Sequence, residues 1–198
     1  MDIPFIAFIA TVLLISLSGV LMPGPLFATV LAEGRKRRWA GIWVATGHAA
    51  VEVPIIISLF LFGKMEMGDE LKAFIGIAGG IILLYFSFSG LKEKESRTLK
   101  GILAGAILSS FNPYFIMWWL TVGFTLAIKA TFFGILGLIS LIIFHEMCDF
   151  LWYGFVSNAS NRGMRFKKME KFLAYISFSI MLFFGVYFIY DGIRILMG

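Results

Sequence analysis

A chain of 198 residues that is 60% hydrophobic and 15% charged, with mean hydropathy +0.91, is not an ordinary soluble domain, because such domains run nearer half apolar and a quarter charged. Its net charge of +5 does not point to nucleic acid, since the basic residues are parcelled into alternate loops. The single cysteine, Cys148, excludes an internal disulfide and a cysteine-built metal centre.

In chain order, the first apolar stretch is Ile3–Leu31. No basic region precedes it and no small-residue cleavage site follows, which predicts a retained span rather than a signal peptide. Met22-Pro23-Gly24-Pro25 interrupts it. Proline removes a backbone donor and glycine weakens a helix, so the helix breaks here. The second stretch, Trp39–Phe62, carries His48 and Glu52 mid-way. The third is Ala73–Leu91. The fourth, Gly101–Ile128, is broken at Ser109-Ser110-Phe111-Asn112-Pro113, where Asn112 can cap the half-helix that restarts. The fifth, Thr131–Ser157, carries His145, Glu146 and Asp149. The sixth, Phe172–Met197, carries Asp191 and Arg194 three residues apart, a local pair. A bilayer core needs about 20 apolar residues per helix. The runs are continuous rather than alternating, so they are helices and not barrel strands. The sequence therefore predicts an all-α, polytopic membrane protein of one domain, with six transmembrane helices, the first and fourth of them broken.

Loops one, three and five hold 13 of the basic residues, among them Arg35 to Arg38 and Lys167-Lys168, while loops two and four hold 3. The positive-inside rule puts the richer loops in the cytoplasm and both termini outside. Charges so placed face water or headgroups.

Three spans, a basic loop and three more spans suggest a duplication, with halves of about 1–91 and 101–197. Pro25 and Pro113 each interrupt the first helix of a half. His48 and His145 are 97 apart, as are Glu52 and Asp149, and Tyr85-Phe86 finds its counterpart in Tyr187-Phe188. An odd number of spans per half inverts one half relative to the other, the plan of many secondary transporters. Pro25 sits farther along its span than Pro113, so the symmetry is not perfect. Glycine pairs at Gly76 and Gly80, Gly101 and Gly105, and Gly134 and Gly137 are read as places where helices approach closely. Trp39 and Tyr153 are read as interfacial aromatics.

Ser18-Gly19, Pro23-Gly24-Pro25, Gly34-Arg35, Ala40-Gly41-Ile42 and Gly47-His48 together resemble the N-terminal signature of LysE-type translocators. Gly101 through Phe111-Asn112-Pro113 to Trp118-Trp119 resembles that family's second signature, so the likeness covers nearly the whole chain. It implies a six-span exporter of amino acids in the inner (plasma) membrane, driven by a proton or ion gradient. It maps the family's motif residues onto Pro23, Gly24, Pro25, Asn112 and Pro113. Many members have lysine after the Asn-Pro, and this chain has Tyr114, so no role of that lysine carries over. The wider superfamily includes metal-ion exporters, which leaves the substrate open.

An ionisable side chain in mid-membrane costs roughly 2.5 kcal/mol or more even on lenient insertion scales. His48 with Glu52, and His145 with Asp149, are spaced i to i+4, which puts each pair on one helix face. Three readings compete. In one, Glu52 or Asp149 binds an amino-acid ammonium, the amide end of a broken helix takes the carboxylate, and His48, His145 and Glu146 support proton or ion coupling, since imidazole titrates near neutral pH. In the second, His48, Glu52, His145, Glu146 and Asp149 hold a divalent metal as the cargo of a metal exporter. In the third they are satisfied interhelical hydrogen bonds. His145-Glu146-x-x-Asp149 is similar to the zinc-protease His-Glu-x-x-His, but the second histidine is missing. No nucleophile constellation or phosphate loop is present, so neither an enzyme nor a cofactor is expected. The expected partners are a small-molecule substrate, a coupling proton or ion and the lipid bilayer, with a homodimer permitted.

Overall fold

The computed structural model describes residues 4–22, 24–63, 68, 70, 73–74, 77–78, 80–81, 84–85, 100–163 and 167–197. The described residues are helical, with no strand among them. Most of the expected third span, and Pro23, lie outside the described residues.

The first stretch forms two helices, α1 (Phe5–Val20) and α2 (Pro25–Gly34), bent by 75° across the break. Gly24 is the N-cap of α2 and Pro25 its first residue, the one helical position where a missing N–H costs nothing. Helix α3 (Ala40–Gly63) follows with Pro54 inside it. The fourth stretch is α4 (Gly101–Ser110), a break, α5 (Pro113–Trp118), a π-helical segment (Trp119–Gly123) and α6 (Phe124–Thr131). Helix α7 spans Gly134–Asn161 and α8 spans Lys167–Leu196. At 24 and 28 residues, α3 and α7 are long and apolar enough to cross a bilayer. The bent pair α1 and α2 would make a third span taken together.

Apolar side chains cover much of the outside while ionisable ones lie within. Ile6, Leu14, Leu61, Ile143 and Leu151 are exposed, while His48, Glu52, Ser109, His145, Glu146 and Asp149 are buried. That distribution suits lipid outside and a polar interior. One apolar cluster gathers Phe8, Ile15, Ile56, Phe60, Trp119, Leu126 and Leu141 from α1, α3, α6, α7 and the π segment. A second gathers Leu26, Val30, Val44, Tyr153 and Val156 from α2, α3 and α7. The acid and imidazole residues fall between them, because along α3 and along α7 they lie between residues of the two clusters.

Glycine sets the close approaches. A Cβ on Gly47 would run into the carbonyl of Ile102, and one on Gly105 into that of Val44, so α3 and α4 touch backbone to backbone. Gly41 lies in the same way against the carbonyl of Tyr153, and Gly80 against Gly185. Gly101 and Gly134 do something other than the close packing read from the sequence. They open α4 and α7 at φ +52° and +58°, left-handed values that a side chain disfavours. Gly76 lies outside the described residues.

The end of α2 is tied down by α7. Ser160 Oγ donates to the Leu31 carbonyl at 2.9 Å and Asn161 Nδ2 to the Gly34 carbonyl at 3.1 Å. The Gly34 carbonyl is one that the helix end leaves open, and the Leu31 carbonyl also accepts the Arg35 amide at 3.4 Å. Nearby, Ser157 Oγ donates to the Arg38 carbonyl at 2.9 Å. Glu33 Oε1 accepts the Gly101 amide at 3.0 Å, joining α2 to the start of α4.

Candidate functional site

Helices α3 and α7 cross so that their acid–imidazole pairs meet. Glu52 Oε1 lies 3.2 Å from His48 Nε2 and 3.3 Å from His145 Nε2. Asp149 closes the ring, with Oδ1 3.8 Å from His48 Nε2 and Oδ2 3.7 Å from His145 Nε2. All four side chains are more than nine-tenths buried. Helices α3 and α7 thus each contribute one imidazole and one carboxylate to a single quartet.

Serines hold the imidazoles from behind. Ser16 Oγ in α1 lies 2.7 Å from His145 Nδ1 and donates to the Val12 carbonyl at 2.6 Å. Ser109 Oγ, at the end of α4, lies 2.5 Å from His48 Nδ1 and donates to the Gly105 carbonyl at 2.6 Å. Trp119, the first residue of the π segment, donates from Nε1 to Glu52 Oε1 at 2.8 Å. Trp118 and Trp119 both flank the His145 ring, at 5.5 and 5.0 Å between centroids, a placement at an irregular turn of the kind that often marks a functional position.

The quartet opens into a cavity of about 70 Å³ lined also by Gly24, Pro25, Ser109, Asn112, Phe115, Trp118, Trp119 and Tyr153. A cavity of this size takes an ion or an ammonium head. Both helix breaks face it, through Gly24 and Pro25 on one side and Asn112 on the other. The Asn112 carbonyl accepts the Ile116 amide at 3.1 Å where the helix restarts.

Of the residues singled out from the sequence, Gly24, Pro25, His48, Glu52, Asn112, His145 and Asp149 line this cavity. Pro113 begins α5, and Pro23 lies outside the described residues. Glu146 is buried but does not line the cavity, and its carboxylate oxygens have no hydrogen-bond partner among the described residues. Tyr153 is not the interfacial residue read from the sequence; it is 6% exposed and faces the chamber. Its position four residues after Asp149 puts it on the same face of α7. Trp39 is 52% exposed, with the Arg38 guanidinium 4.6 Å from its ring. Arg194 and Asp191 pair at 3.3 Å, as their spacing suggests.

The family model for LysE type translocators matches residues 17–192, from just before the first break to the last helix. The chain belongs to the LysE type translocator family. No curated protein and no solved structure matches it. As a LysE-type translocator it is a membrane-embedded protein of a family that exports small solutes, a transporter family and not an enzymatic one.

Proposed function

We propose that this translocator exports amino acids or related small amine-bearing solutes from the cytoplasm, coupled to a proton or an ion. The observation that carries the reading is the quartet. Two carboxylates and two imidazoles, drawn from the two halves, converge in a buried chamber with no lysine or arginine on its walls among the described residues. Such a surplus of acceptors suits a positively charged group. Glu52 and Asp149 receive the ammonium or the coupling proton, with His48 and His145 beside them and Glu146 behind. The broken helices at Pro23-Gly24-Pro25 and Asn112-Pro113 shape the chamber, and the amide end of α2 offers partial positive charge to a carboxylate.

We read the architecture as six spans in two inverted three-helix halves, in the plasma (inner) membrane, with both termini outside. The crossed contacts support this reading. Ser16 in the first helix of one half meets His145 in the second helix of the other, and Ser109 meets His48 in the reciprocal way. Access alternates as one half rocks against the other, and protonation of an acid resets it. The chain works alone or as a homodimer.

The test is efflux from expressing cells, screened across amino acids and divalent metals, with Glu52→Gln as control. Amine export that the variant loses, while still inserting in the membrane, supports the reading. Full export by Glu52→Gln removes Glu52 from the mechanism, and tolerance of a metal without any amine phenotype favours a metal exporter instead.

A further inference from the structure

The quartet has a feature that binding of an amine does not call for. A serine hydroxyl has one hydrogen. In Ser16 and Ser109 it goes to the carbonyl four residues back in the same helix. Each oxygen then offers a lone pair to the histidine Nδ1 behind it, at 2.7 and 2.5 Å. A proton held on Nδ1 leaves Nε2 as a bare lone pair in the neutral ring. Both Nε2 atoms lie within 3.2–3.8 Å of carboxylate oxygens, so with both rings neutral these nitrogens and oxygens face one another as acceptors that a cation can bridge.

Three of these donors lie close enough together to share a dication. His48 Nε2 lies 3.2 Å from Glu52 Oε1 and 3.8 Å from Asp149 Oδ1, and His145 Nε2 lies 3.3 Å from the same Glu52 oxygen and 3.7 Å from the other Asp149 oxygen, Oδ2. A tetrahedral zinc-class ion with ligands at 2.0–2.2 Å sets its donors about 3.3–3.6 Å apart. The oxygens of His48's partners Glu52 and Asp149 lie with its own donor nitrogen inside a 4.8 Å sphere of mutual distance. Imidazole nitrogen with carboxylate oxygen is a donor set for transition metals rather than for magnesium, which prefers oxygen and water. The outer contacts are those of a metal site as well. Metal-bound histidines give the other ring N–H to an acceptor, and metal-bound carboxylates are themselves hydrogen-bonded, which is what the serines and Trp119 do here.

We propose that the quartet is a binding site for one divalent transition-metal ion of the zinc class, ligated by His48 Nε2, Glu52 and Asp149, with His145 Nε2 drawn in as the fourth ligand when the ion binds, and with Ser16 and Ser109 as positioning residues that keep both imidazoles ligand-side inward. Such an ion and the ammonium of a cargo draw on the same donors, so the ion competes with amine export. That competition rests on the export reading; the binding does not.

The experiment is titration of the purified, full-length translocator with Co²⁺ in a chelator-treated buffer, followed by visible absorption, then displacement by Zn²⁺. The expected result is one Co²⁺ per chain, with the intense d–d bands of tetrahedral coordination, removed by Zn²⁺ and unaffected by excess Mg²⁺. Glu52→Gln and Asp149→Asn lose the bands, and Ser16→Ala and Ser109→Ala weaken Co²⁺ binding by roughly 10–100-fold. Size-exclusion profiles confirm that each variant folds, and where a carboxylate variant does not, the serine variants carry the test. A wild-type chain that shows no d–d bands with excess Co²⁺ overturns the proposal. So do bands that survive unchanged in the folded carboxylate and serine variants. No step of the titration involves transport, so failure here is distinct from a failure to export amines.

Discussion

Trp119 Nε1 stands 2.8 Å from Glu52 Oε1, a bond between the π segment of the fourth stretch and the middle of α3. Glu52 and Trp119 are each 1% exposed, so neither group has water to fall back on. Trp119→Phe leaves the carboxylate without its neutral donor and should cost about 1–3 kcal/mol, the usual penalty for a buried partner lost. Thermal unfolding in detergent measures this; an unchanged midpoint would show that the bond contributes nothing.

Glu52→Gln keeps an acceptor for Trp119 but removes the charge shared by the two imidazoles. Export should fall at least about 10-fold, while the folded fraction stays close to wild type, since the amide is nearly isosteric. Efflux and membrane content are measured on the same cells. The loss should be larger than in Trp119→Phe, where the carboxylate remains.

Gly47→Leu and Gly105→Leu each force a side chain into the backbone of the facing helix. Overpacking of a tight interior typically costs about 1–3 kcal/mol or more, so both variants should melt lower and accumulate less. Gly134→Leu is the contrasting control. Space around it is open, and its cost comes from its φ of +58° alone, roughly 1–2 kcal/mol.

Glu33→Ala removes the acceptor of the Gly101 amide, 3.0 Å from Oε1. By analogy with loss of a helix cap, the cost is about 0.5–2 kcal/mol. Glu33→Gln retains the acceptor and should recover most of it, which separates the hydrogen bond from the charge.

With Cys148 replaced by serine, single cysteines report sidedness. The inverted arrangement expects labels at Lys36 and at Lys129 to react from opposite sides of the membrane. Reaction of both from one side would break the six-span topology.

Much of this site was legible in the chain itself. His48 with Glu52 and His145 with Asp149 announce a shared face by their spacing, and the proline breaks foretell interruptions that do face the chamber. The partners that complete the site were not legible. Ser16 and His145 are 129 residues apart, Ser109 and His48 are 61 apart, and Trp119 and Glu52 are 67 apart. In helices apolar on every side, a lone serine has no local signal that distinguishes a tertiary partner from a bond to its own backbone. Tyr153 misled for a related reason: an aromatic near a helix end reads as an interfacial anchor unless its step of four from Asp149 is weighed. Gly101 and Gly134 fit the small-residue pattern of packing positions, and only the backbone reveals their left-handed turn.

With no side chain at Gly47 facing Ile102 or at Gly105 facing Val44, α3 and α4 are keyed together backbone to backbone. Sliding one rod along the other would drive carbonyls into bare backbone at every step. Under the proposed rocking, passage of a solute spares this seam and pivots elsewhere. The 75° elbow between Val20 and Pro25 offers the proposed rocking a fulcrum away from that seam.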